Sequence, residues 1–465
     1  MREDAVSDGR PLRVAIVGAG PAGFYAAGAL VRQDEIPVAI DMFDRLPTPY
    51  GLVRYGVAPD HQKIKLVIRV YEKTARDPRV RYFGNVDLGR DVSTADLKEL
   101  YDQVVYAVGA ATDRKLGIPG EELSGSYSAT EFVAWYNAHP DFADHRFDFE
   151  PRSAVVVGVG NVAVDVIRIL AKSREELAAT DIADPALEAL AASKVEEIHV
   201  LSRRGPVQAK FSAAELREVA GLENADVIVD PADLALDPLS EKELADDPAA
   251  QKNLEILHQL AERPAAGRTR RIHFHFLVSP VEIVGTEGRV TSVVIERNRL
   301  EPRSDGRLAA RGTGEREVLE AGLVFRSIGY LGVPIAGIPF DRKRGVIPNL
   351  EGRVTNAEDA HVRPGEYVVG WAKRGPTGLI GTNKMDAVET VKHMLEDAKG
   401  IDRSAGEGAA AIAPLLSERG VRWVSFADWE VLDRLEQERG SAPGRPRVKF
   451  LRREEMLKAL SRESG

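Results

Sequence analysis

At 465 residues the chain is too long for one ordinary core, so two domains, or three, are expected. A formal net charge of -9 argues against a general nucleic-acid binder, which carries a basic excess, but leaves room for a local basic face. Cysteine is absent, which excludes disulfides, thiolate zinc sites, iron–sulfur clusters held by this chain and any redox thiol relay.

Residues 1–10 carry Glu3, Asp4 and Asp8 and no apolar run, so they read neither as a secretory signal nor as an acid-poor presequence. No stretch approaches the ~18 apolar residues of a membrane span. A soluble cytoplasmic protein is expected.

In chain order, one pattern occurs twice: a β-branched run, a glycine turn, then an apolar-periodic helix. It spans 13–31 and again 154–170, and strand-like runs follow at 38–43 and 198–201. A repeated strand–helix–strand unit predicts an α/β fold: two Rossmann-like dinucleotide-binding domains, parallel sheets with helices on both faces. Buried-strand runs ending in small residues lie at 104–110, 323–329 and 367–370, where a backbone can approach a ligand closely. The predicted division is a first domain at 1–111, an inserted second domain at 112–328, and a return to the first at 329–465 with a C-terminal tail. Residues 223–267, acidic and rich in Ala and Pro, read as surface helices and loops. In the tail, Trp423, Phe426, Trp429 and Leu432 fall near helical spacing and read as packing residues.

Gly18-Ala19-Gly20-Pro21-Ala22-Gly23 follows a strand and opens a helix. Its glycines serve the tight turn, the approach of a pyrophosphate and close helix–strand packing, and the helix N-terminus favours the phosphate charge. Asp44 follows the last glycine by 21 residues, at the end of the second strand, where an acid bonds ribose hydroxyls. Asp41 lies inside that strand and is expected to face a neighbour.

Gly158-Val159-Gly160-Asn161-Val162-Ala163 repeats the turn, but its second strand ends in Ser202-Arg203-Arg204-Gly205. A guanidinium pair binds a 2′-phosphate in a charge-assisted fork that a carboxylate would repel, so NADP is favoured over NAD. Arg203 lies 40 residues beyond Ala163, about twice the usual ~20, because a segment is inserted between helix and strand. A hydride from NADPH needs an acceptor, which makes FAD the natural occupant of the first site.

These motifs resemble the adrenodoxin-reductase-type NADPH–ferredoxin reductases, including bacterial members. The matching runs are Val17 with the first turn through Phe24-Tyr25, then Pro49-Tyr50-Gly51-Leu52-Val53-Arg54-Tyr55-Gly56-Val57-Ala58-Pro59-Asp60-His61 and Tyr82-Phe83-Gly84-Asn85-Val86. They continue with Gly160-Asn161-Val162-Ala163-Val164-Asp165, Arg203-Arg204-Gly205-Pro206, Glu215-Leu216-Arg217-Glu218 and Gly370-Trp371-Ala372-Lys373-Arg374-Gly375-Pro376-Thr377-Gly378. Val424-Ser425-Phe426-Ala427-Asp428-Trp429 also fits the family.

The resemblance implies FAD contacts at Ala22, Asp44, Leu52, Val86, Trp371, Gly378, Leu379 and Ile380, beside Gly18, Gly20, Pro21 and Gly23 of the first turn, which the motif itself assigns to the cofactor. It implies NADP contacts at Gly160, Asn161, Val162, Ala163, Arg203, Arg204, Glu215 and Gly378. Two residues depart from the pattern: Asp44 stands where the family has Glu, and Val159 where it has a polar residue. His61 is the candidate titratable group near the flavin, with Glu218 its companion one turn after Glu215. No metal site is expected.

The implied activity passes a hydride from NADPH to FAD, then single electrons to a ferredoxin-type iron–sulfur protein able to feed a haem monooxygenase. The missing thiols reject a disulfide reductase. An electron-entry subunit of a larger complex, or an NADPH diaphorase with another acceptor, remain the alternatives. A monomer is expected. Because ferredoxins of this kind are acidic, docking requires a basic patch; Lys210, Arg217, Lys373, Arg374, Arg54 and Lys63 flank the motifs and are its candidates.

Overall fold

A computed structural model describes residues 10–304, 307–403 and 412–463. The reading of residues 1–10 as neither signal nor presequence, and the start of the tail at 404–411, fall outside the described residues, Arg10 excepted.

The first sheet takes β1 (Leu12–Val17), β2 (Val38–Asp44), β3 (Val80–Gly84) and β4 (Gln103–Tyr106) from the early chain. It adds β16 (Asn349–Leu350), β17 (Arg353–Thr355) and β18 (Val362–Val368) from the late chain. Their order is β16-β17-β18-β4-β1-β2-β3, parallel from β18 to β3 and antiparallel at the β16–β17–β18 edge. Val14, Ile16, Val38 and Ile40 bury one face against helices Pro21–Arg32 and Thr382–Ala398. Ala15, Val17 and Val104 bury the other, under helix Thr94–Leu100. Burial on both faces is why these strands read as continuous apolar runs.

The second sheet is parallel throughout and uses β6 (Ser126–Ser128), β7 (Ser153–Val157), β8 (Glu197–Leu201), β9 (Ala225–Val229), β10 (Arg270–His275) and β14 (Leu323–Arg326), in the order β6-β14-β7-β8-β10-β9. Here the structure departs from helices on both faces. Helices such as Asn161–Ala171 and Pro248–Ala261 cover one face. The other is covered by a three-stranded antiparallel sheet of β11 (Val278–Thr286), β12 (Arg289–Pro302) and β13 (Leu308–Glu320). Val278, Ile283, Val293 and Ile295 of that sheet pack on Val155, Val157 and Leu201. A short ladder, β5 (Thr112–Asp113) with β15 (Tyr330–Leu331), joins the segments between the two large sheets.

Two readings of chain segments change. Residues 223–267 contain β9, the edge strand of the second sheet, because Val227 and Val229 bury against β10. Trp429 and Leu432 do pack, in helix Phe426–Ser441, whereas Trp423 precedes that helix and lies against Phe83. Among the described residues no helix is long and apolar enough to cross a membrane.

Candidate functional site

The two glycine turns share a backbone plan. Gly18 and Gly158, with φ of 110° and 123°, end β1 and β7, and a side chain at either would strike a carbonyl oxygen, of Ala107 or Ser327. Gly20 and Gly160 then occupy the N-caps of helices Pro21–Arg32 and Asn161–Ala171, leaving N–H groups without intrahelical partners at each helix start. Gly23 and Ala163 lie where those helices press on their strands.

Around the first turn the chain closes in. Asp44, at the end of β2, accepts hydrogen bonds from Ala19 N–H and Leu46 N–H, both at 3.0 Å. Burial pushes its carboxyl up from the usual carboxylate range, against the pull of those two N–H groups. Tyr50 N–H donates to Ala19 O at 2.7 Å, which brings Gly51 opposite Gly20 and places Leu52 at the start of the next short helix. Val86 is buried, its N–H on Asp44 O at 2.9 Å. Asp41 faces a neighbour, as expected: Arg81 at 2.7 Å and the Tyr101 hydroxyl at 2.6 Å.

The second turn instead opens into a cleft of about 1190 Å³. Gly160, Asn161, Val162, Arg203 and Arg204 line one wall, and Trp371, Gly378 and Leu379 line the other. That second wall belongs to the first sheet's side: Gly370 lies so close to Ala22 of the first glycine turn that no side chain fits between them. Asn161 is anchored by Ser212 N–H at 3.0 Å. Arg203 is exposed and Arg204 half-buried; burial and then the Arg203 charge pull the Arg204 guanidinium down from its ordinary value. Among the described residues neither is in a salt bridge, although the Glu243 charge acts on Arg204 from farther off, so both guanidinium groups are left to the cleft. Trp371, tilted against Tyr330 with ring centroids 5.2 Å apart, has a buried indole N–H without an acceptor among the described residues. Leu379 is 67% exposed at the mouth, and Ile380 packs behind it ahead of helix Thr382–Ala398. A bare glycine backbone, an unpaired guanidinium pair and an orphaned indole N–H fit a phosphorylated dinucleotide in this cleft.

Glu215 is not on the cleft wall. It lies in a charged cluster at the seam between the two sheets, centred on Arg168, a guanidinium only 1% exposed. Arg168 meets Asp60 at 2.8 Å, Asp165 at 2.9 Å, Glu215 at 3.0 Å and Glu218 at 3.5 Å. Burial opposes the arginine's charge, and these carboxylates outweigh it. Asp165 responds in the opposite sense: burial pushes it up to about 7, although Arg168 pulls it down. His61 begins the next short helix, with Nε2 2.6 Å from a Glu218 carboxylate oxygen and a ring nitrogen 3.9 Å from Asp165. His61, Glu215 and Glu218 each offer a ligand atom within 4.8 Å of the others. Arg168 already holds Glu215, so the cation of this cluster is an arginine.

The sequence reading passed over Arg168. Its signal is a charge inside an apolar helix, three residues after Asp165. The expected basic patch also needs correction. Arg54 is buried against Glu436, at 2.5 and 2.9 Å, and Lys373 is buried between Asp386 and Glu389. Arg374 is half-buried, bonded to Asn383 at 2.9 Å. Only Lys210, Arg217 and Lys63 reach solvent.

Comparison with known proteins agrees with this geometry. The pyridine nucleotide-disulphide oxidoreductase family matches residues 12–205, although a chain without cysteine cannot carry out that family's thiol chemistry. The chain is 48% identical over 453 residues to NADPH-ferredoxin reductase FprA of Mycobacterium leprae, covering 96% of this chain and 97% of that protein. It is 42% identical over 462 residues to the mitochondrial NADPH:adrenodoxin oxidoreductase of Homo sapiens, covering 96% and 92%. The structure of Mycobacterium tuberculosis FprA in complex with NADPH superposes with a TM-score of 0.92 at 47% identity, covering 97% of this chain and 100% of that one. With two nucleotide turns meeting across one cleft and relatives this close over nearly its whole length, the chain belongs to the adrenodoxin-reductase-type NADPH–ferredoxin reductase family.

Proposed function

We propose that this chain is an NADPH–ferredoxin reductase that takes a hydride from NADPH and delivers electrons singly to an iron–sulfur protein. One observation carries the reading: a single cleft is walled by the Gly160 turn with Arg203 and Arg204 on one side, and by the 371–379 segment that packs on the Gly20 turn on the other. Relatives of this chain bear the names NADPH-ferredoxin reductase and NADPH:adrenodoxin oxidoreductase. FAD, when bound, supplies the conversion between two-electron and one-electron transfer.

The residues divide the work. Gly18 to Gly23, Asp44, Leu52 and Val86 cradle FAD, and the domain division is 1–111 with 329–465 for FAD and 112–328 for NADP(H). Gly160 to Ala163 hold the NADP pyrophosphate, and Arg203 and Arg204 neutralise its 2′-phosphate. Trp371, Gly378 and Leu379 would wall the nicotinamide and flavin side of the cleft, with Ile380 packed behind them as support. Asp165, raised to about 7, holds a mobile proton at the seam, with His61, bonded to Glu218, beside it and Arg168 fixing the charge around it. Glu215 acts through Arg168, bracing the cluster and not lining the cleft. The enzyme works as a cytoplasmic monomer.

Stopped-flow reduction of the FAD-loaded chain by NADPH and by NADH, followed by turnover with a panel of acidic ferredoxins, tests this. Rapid reduction by NADPH in preference to NADH, with multiple turnovers on at least one ferredoxin, is expected. Reduction that never passes to any ferredoxin, yet proceeds to quinones, would replace this reading with a diaphorase.

A further inference from the structure

Directly after His61, residues 62–75 run as one nearly continuous helical rod. Helices Gln62–Lys65 and Ile68–Ala75 are joined by tighter turns in which Leu66 N–H donates to Lys63 O and Val67 N–H to Ile64 O, both at 3.3 Å. The inner side is locked down. Lys65 is buried in an ion pair with Asp181 at 2.7 Å, and Tyr71 stacks on Phe24 with ring centroids 5.0 Å apart.

The outer side has a different character. Ile64, Leu66 and Val70 are 44%, 51% and 50% exposed, and Lys63, Arg69 and Lys73 stand exposed among them. Leu66 has Lys63 and Arg69 three residues away and Val70 four, and Lys73 is three beyond Val70 and four beyond Arg69, so these five share a face. Among the described residues none of the three cations forms an ion pair. The arginines that follow are all paired: Arg76 with Glu430 at 2.8 Å, Arg79 with Asp77 at 2.9 Å and Arg81 with Asp41 at 2.7 Å. Three unpaired cations around the bare Leu66 and Val70 side chains, on a chain of net charge -9, form an apolar centre with a basic rim.

We propose that this face of the 62–75 rod is the docking surface for the acidic iron–sulfur partner. Two observations select that occupant. The rim has the charge that steers an acidic protein, while most of the chain repels one. The rod also starts at His61, in the charged cluster at the seam between the two large sheets, so a partner seated on it lies beside the junction of the two nucleotide-binding halves. The inference rests on the reading of the chain as a ferredoxin reductase, and extends it beyond Lys210 and Arg217 to a surface on the first sheet's side.

The test uses the FAD-loaded full chain with two variants, Lys63→Glu/Arg69→Glu/Lys73→Glu and Leu66→Ser/Val70→Ser. A control, Arg299→Glu/Arg311→Glu/Arg316→Glu, makes the same charge change on the exposed three-stranded sheet. Each is measured for flavin content, NADPH–quinone turnover, and ferredoxin KM at low and high salt. The rod variants are expected to raise ferredoxin KM about tenfold or more, with flavin content and quinone turnover unchanged, and the charge variant should lose most of the salt response. The control should move KM far less. Equal effects in the rod and control charge variants, or an unchanged KM in the rod variants, would overturn the proposal. Flotation of the wild-type chain, but not the charge variant, with phosphatidylserine vesicles would assign the face to a membrane and overturn it too. A wild-type chain that reduces no ferredoxin at all would count against the functional reading itself, a result separable from these.

Discussion

The two glycine turns have nearly the same backbone and opposite surroundings. At the first, Gly20 faces Gly51, the Tyr50 N–H closes on Ala19 O, and Asp44 spends both carboxylate oxygens on backbone N–H groups. At the second, a side chain built on Gly160 would meet nothing within 4 Å, and Arg203 and Arg204 stand without salt bridges to described residues at a cleft of about 1190 Å³. Identical local sequence logic thus yields a turn wrapped by its own chain and a turn open to solvent. The first suits a cofactor that stays and the second one that exchanges, and the difference comes from what the rest of the chain lays over each turn.

The sharpest way to break this comparison is one substitution made twice. Gly20→Val meets Gly51 only at ordinary contact distance but puts branched carbons where the pyrophosphate must approach, and is expected to yield colourless or weakly yellow protein. Gly160→Val meets open space, so it should fold, keep its flavin spectrum, and raise the NADPH KM by about two orders of magnitude. Flavin absorbance per protein and steady-state kinetics read both; flavin loss in the Gly160 variant would erase the distinction.

Next in size is coenzyme choice. Removing one charge-assisted contact to a 2′-phosphate costs about 1.5–3 kcal/mol, so Arg203→Ala should weaken NADPH binding about 10–100-fold. NADH binding should stay nearly constant. Equal losses for both coenzymes, measured by titration, would remove the phosphate from this loop.

A smaller effect concerns the seam. Asp165 has its folded value raised to about 7 from an ordinary 3.8, so the folded state binds the proton more tightly than the unfolded chain. That contribution is fully present below about pH 4 and is lost as pH rises through about 7. Asp165→Asn, which keeps the shape without the charge, should therefore gain thermal stability over wild type at pH 8, by about 1–3 kcal/mol. The gap should close toward pH 4. A constant difference across thermal melts from pH 4 to 8 would mean that Asp165 does not titrate in this window.

The smallest prediction concerns Trp371. Its buried indole N–H has no acceptor among the described residues, so Trp371→Phe keeps a ring and removes only that donor. If the donor serves NADPH, affinity should fall about 2–10-fold, the size of one neutral hydrogen bond. An unchanged dissociation constant would leave Trp371 as a wall and nothing more.

How much of this was legible beforehand differs by residue. Gly18, Gly20, Gly158 and Gly160 could be placed because a phosphate turn is contiguous: strand, turn and helix N-terminus follow each other within about ten residues. The assignment of Asp41 to a neighbour followed from its place inside β2, where alternate side chains face opposite sides. Glu215 and Glu218 were picked out by a run, but their common partner Arg168 was not, since nothing local joins 168 to 60 or 215. The three-stranded sheet over the second domain and the edge strand β9 were missed because alternating polar residues and an Ala-rich, acidic context hide a half-covered strand.

By itself, then, the sequence determined the two nucleotide turns, the preference for NADP and the absence of thiol chemistry, since each depends on residue type within one short stretch. The tertiary structure alone decided the fate of the charges. Arg54 finds Glu436 across 382 residues of chain and Lys65 finds Asp181 across 116, and both are withdrawn from solvent. Lys63, Arg69 and Lys73, on the same stretch of sequence, form no ion pair among the described residues and remain on the surface. A charge is silenced or displayed by the acid that folding brings within about 4 Å of it, and that distance is set by packing of remote segments, which no local pattern encodes.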